Sequence, residues 1–172
     1  MSEVTHHYWP IFWKLIVTPF QHGELIWGIV PLYFGWLVNE LTSNKASFKT
    51  AINTGFSFIW AAAQWIHKYL SARPATAPQW DFNALYAVNV MVTLIVLLIG
   101  LIAFVSGVRR KYPRYGSFLG HTRFSNYFMI AIFPMQSGYL SWSWARLTAI
   151  VIFAVPLWLV LHFGLMPLRN RK

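Results

Sequence analysis

The sequence predicts an all-α integral membrane protein, a bundle of about five transmembrane helices, and three observations carry that prediction. Residues 82–108 hold no charged side chain, and such a run exceeds the roughly 20 apolar residues that cross about 30 Å of hydrocarbon. The run stops at Arg109, Arg110 and Lys111, a basic block of the kind retained on the cytoplasmic side of a membrane. The whole chain is 57% hydrophobic and 10% charged, where a soluble globule carries about 25% charged residues. Four acids (Glu3, Glu24, Glu40 and Asp81) are too few to make an ordinary charged surface.

Taken in order, residues 1–8 are polar and read as interfacial. Residues 9–20 are rich in aromatics but contain Pro10, Lys14 and Pro19, which suits an interfacial helix leading into the first span. The clean apolar core at 25–38 covers only 14 residues, or about 21 Å of helix. The first span must therefore extend over about 19–40, which draws Glu24 inside the boundary, and Pro31 should kink it. A short polar connection with Lys45 leads to the second span, 48–66. Here Thr50, Asn53, Ser57, Ala61, Gln64 and Lys68 recur at steps of three and four and share one helical face. A polar stripe facing lipid is expensive, so this face should point into the bundle.

Residues 71–81, with Pro74 and Pro78, read as a loop. The third span, 82–108, places Asn89, Thr93, Gly100 and Gly107 near one face, where small residues allow helix backbones to approach. Residues 109–126 form a basic cytoplasmic loop with five Lys or Arg and no acid. The segment 127–142 is broken by Pro134 and by Gln136, Ser137 and Gly138. It is either a full span or a re-entrant hairpin, which would leave four spans plus that segment. The last span is 147–166, kinked near Pro156, and a basic tail with Arg169, Arg171 and Lys172 follows. No linker divides the chain, so residues 1–172 read as a single membrane domain.

Charge separates the two topologies. Five spans with the N-terminus outside place ten basic residues in the cytoplasm and four outside, and the re-entrant arrangement reduces this to eight against six. The five-span count follows the positive-inside rule better. It puts the C-terminus in the cytoplasm and suits a plasma (inner) membrane. The net charge of +10 sits beside apolar runs, which indicates anionic lipid headgroups at the cytoplasmic face rather than nucleic acid. The N-terminus lacks the basic start, apolar core and cleavage site of a secretory signal.

Candidate chemistry centres on Glu24. A carboxylate about one turn inside the bilayer costs a few kcal/mol unless it is paired or hydrated. Lys14, His22, His67, Lys68, Arg73 and Arg146 are its available partners on the same side, with His22, Lys68 and Arg146 among the candidate site. One reading makes Glu24 a proton- or cation-handling site; the other makes it a structural ion pair tying the first span to a neighbour. The stripe of Asn53, Ser57 and Gln64 divides in the same way, between a solute path and interhelical hydrogen bonds. A second candidate pairs His162 of the last span with Glu40. The adjacent His6 and His7 cannot face one way on a helix and form a weak metal signal. There is no cysteine, no Gly-x-Ser-x-Gly elbow and no phosphate-binding glycine loop. No cofactor, metal or catalytic residue is therefore expected. The expectation is a non-catalytic multi-pass membrane protein, a scaffold or accessory subunit that packs with other membrane proteins or itself. The alternative is a small transporter or channel subunit using Glu24.

Overall fold

A computed structural model describes residues 2–42, 47–71, 84–110 and 123–165. Among the described residues there are six helices and no strand: α1 (Ser2–Gln21), α2 (Gly23–Thr42), α3 (Phe48–Ser71), α4 (Ala84–Arg109), α5 (Arg123–Gln136) and α6 (Trp144–Gly164). The predicted loop at 71–81, most of the basic segment 109–126 and the basic tail lie outside the described residues. Two helices, at Tyr86–Arg109 and Trp144–Leu161, are long and apolar enough to cross a membrane.

The N-terminal boundaries differ from those read off the sequence. An interfacial helix at 9–20 and a span from 19 are expected, whereas α1 begins at Ser2 and the break falls at His22. There the chain reverses within one residue, and the Leu25 N–H closes back on the His22 carbonyl at 2.9 Å. As a result α2 lies beside α1, with the Phe20 and Tyr33 rings 5.5 Å apart. Polar residues at 2–7 are helical because the turns that follow are anchored. Trp9 and Phe12 both pack on Phe153 of α6, at 5.3 and 5.4 Å between ring centroids.

Each later boundary has a local cause. Ser47 caps α3, its Oγ accepting from the Thr50 N–H, while the Thr50 hydroxyl accepts from the Ser47 N–H at 2.9 Å. The end of α4 is marked by Arg110, which takes a left-handed φ of 51°. After Pro134, α5 ends at Gln136; Gly138 then turns the chain with a φ of 77°, and the Pro134 carbonyl accepts from both Tyr139 and Leu140. Ser143 caps α6.

A set of polar side chains is buried alongside the apolar core. Asn39, Glu40, Thr54, Ser57, Asn89, Thr93, Asn126, Gln136 and Ser137 are all buried. The outward faces are apolar: Trp27, Val30 and Phe34 on α2, Leu94, Leu98 and Ile102 on α4, and Val151 and Val160 on α6. Helix α3 sits centrally in this arrangement, packing most extensively on α4 and then on α2.

Candidate functional site

The polar stripe of α3 is directed at the backbone of α2. Asn53 donates to the Gly35 carbonyl at 2.7 Å, Ser57 to the Pro31 carbonyl at 3.1 Å and Gln64 to the Glu24 carbonyl at 3.2 Å. Between them the Trp60 indole N–H donates to the Trp27 carbonyl at 2.7 Å. The acceptors at 24, 27, 31 and 35 and the donors at 64, 60, 57 and 53 both advance by helical steps, so the two antiparallel helices are joined rung by rung. Pro31 explains the Trp27 rung. Proline has no N–H, so the carbonyl four residues earlier loses its helical donor, and Trp60 supplies the replacement. At the far end Asn39 donates to Thr54 Oγ1 at 2.9 Å and accepts from Asn53 at 3.0 Å. Thr50 is occupied in the α3 cap, and Ala61 is fully buried.

Glycine makes the short rungs and the close α3–α4 contact possible. A Cβ at Gly35 would strike Ser57 Oγ, and one at Gly28 would lie 2.5 Å from Phe133 Cζ. On the other side of α3, a Cβ at Gly55 would lie 2.5 Å from the backbone nitrogen of Phe104, and one at Gly107 would lie 2.9 Å from that of Ile52. Gly100 and Gly107 thus meet α3, whereas Asn89 and Thr93 of the same helix serve another partner. The buried amide of Gln136 donates to the Asn89 carbonyl at 2.5 Å and to Thr93 Oγ1 at 2.7 Å. Trp142 donates to Asn89 Oδ1 at 2.6 Å, and the Tyr69 hydroxyl donates to the Gln136 carbonyl. This knot holds the turn after α5 against α3 and α4.

Where α2 begins and α3 ends, the ladder opens into a polar cleft of about 680 Å³ lined by Glu24, Trp27, Gln64, His67 and Lys68, among others. Lys68 Nζ lies 3.6 Å from Glu24 Oε1, with the lysine side chain 24% exposed and the carboxylate side chain 66% exposed. On its other side the ammonium sits 3.5 Å from the centre of the Tyr139 ring, in cation–π contact. The opposite partner of Tyr139 is His22, with ring centroids 4.3 Å apart. Burial lowers the affinity of Lys68 for its proton below the ordinary lysine value, and the neighbouring Glu24 charge opposes that shift.

The structure therefore gathers His22, Glu24, Gln64, His67 and Lys68 at one end of the bundle, and it adds Tyr139. Asn53 and Ser57 lie deeper, in the ladder. Arg146 is engaged elsewhere, donating to the Ser141 carbonyl and to Ser141 Oγ at 2.7 Å. Glu40 is fully buried at the opposite end of α2; His162 lies on α6, and its side chain is outside the described residues. Tyr139 carries no periodic signal, since a turn residue placed by Gly138 belongs to no stripe. Trp60 had a signal in Pro31, which announces a carbonyl in need of a donor. Among the described residues no three His, Cys, Asp or Glu side chains come together as a metal site. A separate apolar pocket of about 150 Å³, lined by residues such as Phe12, Tyr33, Trp36 and Tyr127, offers no charged group. No known family pattern matches this chain, and no curated protein or solved structure is found to resemble it.

Proposed function

We propose that this chain is a non-catalytic, multi-pass component of a plasma or inner membrane, a scaffold or accessory subunit that packs with other membrane proteins or with itself. In this reading α2 to α6 correspond to the five predicted spans, α5 being a short one, and their apolar outward faces are shared between the bilayer and a protein partner, the partner on the face of α4. Helix α1 doubles back beside α2, so this reading replaces the outside N-terminus expected from the sequence with a start on the cytoplasmic side, together with the C-terminus. Lys14 then lies about two turns from the outer end of α1, within snorkelling reach of the headgroups. The basic clusters at 109–111 and 169–172 face anionic lipid in the cytoplasmic leaflet.

The observation that carries the reading is the destination of the α3 donors. Asn53, Ser57, Trp60 and Gln64 each bond a carbonyl of α2. The polar groups a solute path would need are thus taken up by helix association. A carrier reading draws on the cleft at Glu24, but Asn53, Ser57, Trp60 and Gln64 next to it are bonded to α2.

Two measurements on the full chain separate these readings. Photo-crosslinking residues at Leu94, Leu98 and Ile102 in native membranes should give adducts with a polypeptide of fixed mass. Proteoliposomes holding the purified protein should show proton and cation flux at background. Lipid-only adducts together with Glu24-dependent flux would reverse the assignment.

A further inference from the structure

We propose that the cleft between the start of α2 and the end of α3 holds the headgroup of a phospholipid bearing a primary amine, the phosphodiester on Lys68 and His67 and the ammonium on Glu24. The proposal rests on the membrane reading above and is independent of the scaffold role.

Three features select this ligand. The first is paired opposite charge. At 3.6 Å, Lys68 and Glu24 are further apart than the roughly 2.8 Å of a tight charge-assisted hydrogen bond. The carboxylate is largely open, so it retains lone pairs for a second cation. A lone anion would meet Glu24 and a lone cation would meet Lys68; a zwitterion with both charges on a short bridge complements both. The second feature is the wall. The Trp27 indole is 74% exposed and lines the cleft, which offers an aromatic face to an ammonium group. The third is the continuation. Below the cleft, Trp27, Val30 and Phe34 of α2 run alongside Phe56 and Trp60 of α3, all exposed and apolar, with the last two rings 5.9 Å apart. A ligand seated in the cleft by its polar end would lay hydrocarbon along this face. Glu24 accepts hydrogen bonds from a primary ammonium but none from a quaternary one, so ethanolamine should be preferred to choline.

The test uses the full chain in mild detergent, with native mass spectrometry in the presence of phosphatidylethanolamine, phosphatidylcholine or phosphatidylglycerol. The unaltered protein should retain the ethanolamine lipid about ten-fold better than either competitor. Glu24→Gln should bring the ethanolamine and choline lipids to parity, and Lys68→Gln should weaken both. Should either variant lose monodispersity, thermal denaturation of the unaltered protein decides: a higher midpoint with ethanolamine than with choline lipid is expected. Equal midpoints, or lipid retention unchanged by both substitutions, would overturn the proposal. Displacement by free phosphoethanolamine at the same concentration as the lipid would identify a soluble ligand and overturn the lipid assignment. A chain that stays dispersed without detergent would instead remove the membrane reading itself.

Discussion

The indole N–H of Trp60 donates to the carbonyl oxygen of Trp27 at 2.7 Å, and that oxygen is the one Pro31 leaves without a helical donor. A carbonyl left open by proline in one helix is thereby satisfied by a side chain of its neighbour. Trp60→Phe keeps the ring and removes only the donor. It should destabilise the bundle by about 1 kcal/mol, within the range of interhelical hydrogen bonds. The loss should shrink in a Pro31→Ala background, where the helix regains its own N–H. Reversible unfolding of the four proteins of this double-mutant cycle in micelles measures the coupling; strictly additive losses would contradict it.

The α3–α4 contact is governed by backbone proximity. At Gly55 an added Cβ meets the Phe104 backbone nitrogen at 2.5 Å, and no side-chain rotation relieves that. Gly55→Ala should therefore cost about 1–3 kcal/mol, the usual penalty of overpacking. Gly23→Ala, where nothing lies within 4 Å of the added carbon, is the matched control. Unfolding midpoints of the two variants should differ clearly, and equal midpoints would contradict the close approach.

Gln136 is fully buried and its amide serves both Asn89 and Thr93. Gln136→Leu removes the bonds but preserves most of the volume, so the loss should stay near 1 kcal/mol. Gln136→Ala leaves a cavity as well and should lose about 1–2 kcal/mol more. Protease sensitivity of the turn at 137–143, which the knot holds in place, should rise in the same order.

Lys68, beyond the predicted 48–66 span, supplies a pH signature. Its folded pKa is lowered by burial from the ordinary 10.5, with Glu24 opposing the shift. The unfolded chain then holds this proton over a window just below 10.5 in which the folded chain has released it. Stability should rise with pH across that window. Glu24→Gln removes the opposing charge and should widen the window downwards, and Lys68→Met should abolish this contribution. Denaturation midpoints followed from neutral to alkaline pH give the slope; a midpoint that falls as Lys68 titrates would contradict the assignment.

Much of the helical outline was legible because membrane-like segments announce themselves by what they omit. The charge-free run at 82–108 lies in a helix over Ala84–Arg109, and Asn53, Ser57 and Gln64, which the three-and-four spacing groups on one face, all bond α2. The destination of that face was not legible. Its acceptors are backbone carbonyls, which every residue carries, so no side-chain pattern on α2 marks them. Helix α1 extends through the mostly polar residues 2–7 because Trp9 and Phe12 find Phe153 far along the chain, a contact that no local pattern announces. In the cleft, Glu24 and Lys68 stand out by charge alone, but the Tyr139 ring between Lys68 and His22 depends on a turn whose geometry follows from Gly138.

The contact of α1 with α6 joins two helices that lie far apart in the chain. Until α6 emerges from the ribosome, Phe12 has no Phe153 to pack against, and α1 must wait while more than a hundred residues are added. The ladder between α2 and α3, by contrast, links neighbours and is complete early. Biogenesis of this protein should thus proceed by early zippering of α2 on α3, with the α1–α6 contact made later.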